Sequence, residues 1–141
     1  MTVTKQGVDH IGGVWALKVT VQDLAHWRGE AGTAVAALGG DRGAVEVVRL
    51  GVSELLSNVC RHVEDRRCRL EVRRVDDAVL AQVFDRSLKV PAVLVPDAEE
   101  ESGRGLWLLR EMTRALGYVC TPDGKWVWFT VPLVTVNQEG S

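Results

Sequence analysis

Residues 52–62 read Val52-Ser53-Glu54-Leu55-Leu56-Ser57-Asn58-Val59-Cys60-Arg61-His62. Val52, Leu55, Leu56 and Val59 recur at three- and four-residue spacing, and Val48 and Val63 extend the stripe at either end. That period belongs to an amphipathic helix with one face in a core. Asp41 stands where an N-cap carboxylate would open it, so a helix is predicted from Asp41 to about Val63. Glu54, Asn58 and His62 follow one another at four-residue steps, which stacks them on a different face, with Arg61 alongside. A carboxylate and an amide in that register make an oxygen-rich edge. Mg²⁺ prefers oxygen ligands and often shares its site with substrate phosphates. The carboxylate one turn away can take a proton from a hydroxyl or a water. Taken alone, the same stripe reads more simply as the solvated face of the helix.

Upstream, Leu24, Trp27, Ala31, Ala34, Val35 and Leu38 recur at helical spacing until Gly39-Gly40 ends the run. Before them, Val14–Val21 reads as a strand rich in β-branched and aromatic residues. Downstream, Cys68, Leu70 and Val72 alternate with Arg67, Arg69, Glu71 and Arg73, which predicts a half-exposed strand. Asp76-Asp77 makes a turn into the apolar strand AVLAQVF. Residues 86–102 hold two prolines, the acidic DAEEES and no period, which predicts a loop of functional length. Gly103–Leu116 reads as a third helix. YVCT and KWVWFTVPL read as strands joined by the turn Pro122-Asp123-Gly124. Helices early and strands in hairpins favour an α+β two-layer sandwich, a mixed or antiparallel sheet covered by helices on one face.

The bulk properties agree with one such domain spanning residues 1–141. A chain of 141 residues, 46% hydrophobic and 26% charged, is ordinary for a single globular unit. Its net charge of −2 leaves no basic excess to neutralise a run of phosphates, which argues against nucleic-acid binding. The arginines of RHVEDRRCRLEVRR are interleaved with acids and read as a turn and a solvated strand face. No stretch of 18 apolar residues and no signal-peptide pattern is present. Cys60, Cys68 and Cys120 are odd in number, without metal-ligand spacing, and read as free thiols in a reducing compartment, hence a cytoplasmic protein.

Two further motifs carry chemistry. Gly103-Arg104-Gly105-Leu106 opens the third predicted helix, where free N–H groups and the helix dipole favour phosphate. A lone GxG is weak, and neither the dinucleotide fingerprint nor the P-loop is matched; the one Gly-Lys pair, Gly124-Lys125, is followed by Trp126. Val83-Phe84-Asp85-Arg86-Ser87 ends a strand on a carboxylate, which can accept from the exocyclic amine of adenine and repels the carbonyl of guanine. By itself Asp85 reads more simply as a residue that ends a strand in a turn.

The order of these motifs resembles the histidine-kinase-like (GHKL, Bergerat-fold) ATPase superfamily. Val52–His62 resembles its N-box, Val83–Ser87 its first glycine box in the D-x-G/S form, and Gly103–Leu106 its second. The S-E-L-x-x-N-x-x-R-H wording is similar to that of anti-sigma-factor serine kinases and small actinobacterial ATP-binding regulators. The resemblance implies a Bergerat ATP-binding fold and the cofactors ATP and Mg²⁺. Asn58 would hold the metal, and Glu54 would be the catalytic base toward a protein serine. His62, Asp85, Ser87, Gly103, Arg104, Gly105, Leu106 and Lys125 would bind nucleotide, with Asp85 reading adenine and Lys125 reaching the phosphates. Residues 86–102 would form an ATP lid, and residues 1–12 and 134–141 flexible ends. The implied activity is that of an anti-sigma factor and protein serine/threonine kinase. Its partners would be a sigma factor and an anti-anti-sigma (STAS-type) protein, and it would form a homodimer. A nucleotide-gated binding module without kinase activity is the alternative. Val59, Ser87 and Trp126 depart from the usual alanine, glycine and small threonine, and the bulky Trp126 is expected to narrow the pocket or to stack on a neighbour.

Overall fold

The computed structural model describes residues 9–87, 113 and 115–133. Five strands, β1 (Asp9–Lys18), β2 (Arg67–Val75), β3 (Ala78–Asp85), β4 (Ala115–Thr121) and β5 (Gly124–Pro132), form one sheet in the order β1-β2-β3-β5-β4. Every pairing among them is antiparallel. Two helices, α1 (Leu24–Ala37) and α2 (Arg42–His62), follow β1 after a short 3-10 turn at Val21–Asp23. The architecture is the α+β sandwich expected from the sequence, and the described sheet is wholly antiparallel.

Local chemistry fixes the ends of the helices. Gly39 turns the chain out of α1 at φ +97°, a conformation natural only to glycine. Its N–H donates to Ala36 O at 3.1 Å, while Gly40 N–H donates to Val35 O at 2.9 Å. Asp41 then opens α2, its Oδ1 accepting from Ala44 N at 2.8 Å. The apolar stripe of α2 (Val48, Val52, Leu55, Leu56 and Val59) is buried with Ala31, Ala34 and Val35 of α1. Both helices pack together, and α2 also packs on the central strands β3 and β5.

Strand alternation supplies the other half of the core. Val79, Ala81 and Val83 of β3 and Val127, Phe129 and Val131 of β5 are buried on the helix-covered face. Their neighbours face the other way, and there Phe84 and Trp126 meet at 5.3 Å between ring centroids. On that outer face Glu71 of β2 is held by Arg69 Nε at 2.6 Å, Arg73 Nη2 at 2.8 Å and Gln82 Nε2 at 2.9 Å.

Three boundaries differ from the sequence reading. β1 begins at Asp9 rather than Val14, because Asp9, His10 and Ile11 pair with Val75, Arg74 and Arg73 ahead of an irregularity between Ile11 and Gly13. The flexible segment expected over residues 1–12 therefore does not reach its stated end. β1 also stops at Lys18, short of Val21. Ala115 and Leu116, assigned from sequence to the end of a third helix, lie in β4 opposite Thr130 and Phe129. The rest of that helix, the tail 134–141 and the lid beyond Ser87 lie outside the described residues.

Candidate functional site

The polar face of α2 follows from the same 3.6-residue period that buries its stripe. Glu54 and Asn58 are half-buried one turn apart, and Arg61 and His62 are exposed at the helix end. Burial pushes the Glu54 carboxyl above its ordinary pKa, and the Arg61 charge only partly offsets it. Such a carboxyl is a better proton acceptor than an exposed one. Arg61 Nη2 donates to Asn58 Oδ1 at 3.2 Å, which holds the amide with its oxygen toward the guanidinium. That oxygen has a second lone pair for another partner.

At the end of β3 the chain does something its sequence hardly advertises. Asp85 continues the core-facing row Val79, Ala81, Val83, and Lys125 begins the matching row of β5; the two are register partners. Both are 5% exposed, and Lys125 Nζ donates to Asp85 Oδ1 at 2.8 Å. The same Oδ1 accepts from Ser87 N at 2.8 Å, and Lys125 Nζ also donates to Ser87 O at 3.0 Å. A buried charge needs such pairing to be tolerated. Gly124 makes the contact possible: a Cβ there would lie 2.0 Å from the Asp85 carbonyl oxygen. Cys68, opposite Asp85 on β2, has its thiol pKa pushed up to about 12, first by burial and then by the Asp85 charge.

A cleft of about 410 Å³ lined by His62, Val63, Glu64, Asp65, Arg86 and Ser87 joins the end of α2 to the end of β3. It ties the helix with Glu54 and Asn58 to the turn that holds Asp85. Of the residues singled out from sequence, the structure thus brings His62 and Ser87 to one cleft. It binds Asp85, Ser87 and Lys125 into one cluster. Gly103, Arg104, Gly105 and Leu106 lie outside the described residues.

One expectation changes and a second is narrowed. Lys125 was expected at the phosphates, but its ammonium is engaged by Asp85 and Ser87. Trp126 was expected to narrow the pocket or to stack on a neighbour; alternation puts it against Phe84 on the outer face, because Lys125 is the core-facing residue at that point. Val59, 1% exposed, is part of the core cluster. The Asp85–Lys125 pair was missed. Each residue falls in step with an apolar alternation at the end of a strand, but only the β3–β5 register pairs them.

The donor chemistry of the α2 face fits Mg²⁺ in one specific way. Asn58 and Glu54 offer oxygens only, from a single helix face, and among the described residues no group of three or more His, Cys, Asp and Glu gathers to cage a metal. That donor set suits a cation held mainly through a substrate's phosphates and waters. Among the described residues no helix is long and apolar enough to cross a membrane.

A family model described as the histidine kinase-like ATPase domain matches residues 17–131, from β1 to β5. No curated protein matches the chain. The match takes in the α2 face, the Asp85 turn and the whole helix-covered core, and on that extent the chain belongs to the histidine kinase-like ATPase domain family.

Proposed function

We propose that the protein is an ATP-binding regulator and a protein serine kinase that transfers the γ-phosphoryl group of Mg-ATP to a serine of an anti-anti-sigma partner, with a sigma factor as its second partner. The observation that carries this reading is the pair Glu54 and Asn58, one turn apart on the half-buried polar face of α2 in a chain of this ATPase family. Phosphoryl transfer asks little covalent chemistry of a protein; it needs positioning and neutralisation of charge. Asn58 Oδ1, and through it α2, would hold Mg²⁺. When bound, the cation neutralises phosphate charge. Glu54 takes the proton of the attacking serine hydroxyl at its carboxylate, and burial raises its affinity for that proton. Asp85 receives the base at the far end of the site.

Labelled Mg-ATP incubated with the protein and a candidate anti-anti-sigma protein tests the reading. Label is expected on a partner serine with the wild type. Glu54→Gln is expected to reduce the rate by about 10²-fold or more, the usual worth of a general base, with nucleotide binding retained. Nucleotide binding without transfer to any partner would support the second reading, a nucleotide-gated binding module.

A further inference from the structure

Among the described residues β1 is an edge strand, with β2 as its neighbour on one side. The open side of an edge strand carries N–H and C=O groups that another strand can pair with. Folds blunt such edges with short strands, proline, charge or bulges. β1 runs ten residues without proline, and its charged residues, Asp9 and Lys18, stand at its two ends. Trp15 and Leu17 pack against the core, while Ile11, Val14, Ala16 and Lys18 are exposed. Ile11 is 59% and Val14 37% exposed, so the middle of this edge is apolar and open. Its one irregularity lies at Gly12: Ile11 pairs with Arg73 and Gly13 with Val72, which leaves Gly12 as an extra residue in the strand. That extra residue bars a regular strand from the edge. A strand carrying the same extra residue fits it.

We propose that β1 is an interface between two copies of this chain, paired antiparallel about a two-fold axis at Val14, so that two five-stranded sheets join as one. In this register Val14 meets Val14 of the second copy, and Trp15 meets Gly13. Past the extra Gly12, Ala16 meets Ile11, Leu17 meets His10 and Lys18 meets Asp9. Every pair then joins residues of the same face, as adjoining strands require. A shift by one residue would set exposed positions against core-facing ones. The ends also match in charge. Within its own chain Lys18 stands opposite Arg67, and like charges directly opposite are destabilising. The second copy sets the acidic Asp9 on the other side of Lys18, and the symmetry does so twice.

Sedimentation velocity of the full chain without nucleotide tests it. One strand from each copy makes a small interface, below about 1,200 Å², so association is expected in the micromolar range. The mass is expected to rise with concentration from 15.5 kDa towards twice that value. Val14→Lys sets two ammonium groups against each other at the axis and is expected to abolish the rise, with the melting temperature at low concentration unchanged. Lys18→Asp is expected to weaken association about tenfold, the product of two exposed ion pairs lost. Asp9→Lys combined with Lys18→Asp is expected to restore it. The charge exchange decides even if Val14→Lys does not fold. A chain that stays at 15.5 kDa throughout overturns the inference. So does association that Val14→Lys leaves unchanged, which would place the contact on another surface. Failure of the double exchange to restore association also overturns it, by rejecting the register. None of these measurements involves nucleotide, so each outcome leaves the ATP reading untouched.

Discussion

Gly124 and Glu54 show how much one side chain, or its absence, decides. At Gly124 even a methyl group would sit 2.0 Å from the Asp85 carbonyl and 2.9 Å from Arg86 Cα, both backbone atoms that cannot rotate away. Gly124→Ala is therefore expected to destabilise the fold by about 3 kcal/mol, at the upper end of overpacking costs, and to weaken the Asp85–Lys125 contact. Thermal and denaturant melts measure the first, and nucleotide titration the second. Glu54 runs the opposite way. Its folded pKa is raised, so its contribution favours folding below the unfolded carboxylate pKa and is lost as pH rises through the folded one. Above the folded pKa the ionised group is a burden on the fold. Glu54→Gln is expected to melt no lower than wild type at pH 7, and to gain relative stability from acid to neutral pH. A marked loss of melting temperature at pH 7 would contradict that assignment of its environment.

At the scale of elements, β2 carries a device of its own. Burial alone would raise the Glu71 carboxyl, but the hydrogen bonds from Arg69, Gln82 and Arg73 outweigh it and leave its pKa below the ordinary value. A depressed folded pKa contributes stability above the unfolded value, about 4.3 for glutamate, and loses it as pH falls through the folded value. Glu71→Gln is thus expected to cost about 1–2 kcal/mol at pH 7, and the gap from wild type is expected to shrink as pH falls below about 4.3. Melting curves of both proteins across that range check it. The elements also show what a sequence can and cannot disclose. α2 was legible to within a residue, since its stripe and its Asp41 cap are local signals. β4 was cut short because Ala115–Gly117 owe their extended form to pairing with Trp128–Thr130, a contact that no local period encodes. β1 began early for the same reason, its first residues being held by the far end of β2.

For the molecule as a whole, the hairpins β2–β3 and β4–β5 were visible as alternations around turns, and the layering followed from them. The pairing of β3 with β5 was not, because no local period encodes it. It sets Lys125 on Asp85, sends Trp126 to the outer face, and closes the sheet under α2. Glu54, Asn58 and Asp85 could be read from residue type and spacing; the partner of Asp85 needed the register. On the proposed function, the α2 face and the Asp85 turn together bind Mg-ATP. Calorimetric titration of Mg-ATP into the full chain, beside folded Asn58→Ala and Asp85→Ala, tests it most directly. One saturable site is expected in the wild type, weakened about tenfold or more in each variant. Absence of binding in the wild type, or affinity unchanged in both variants, would contradict it.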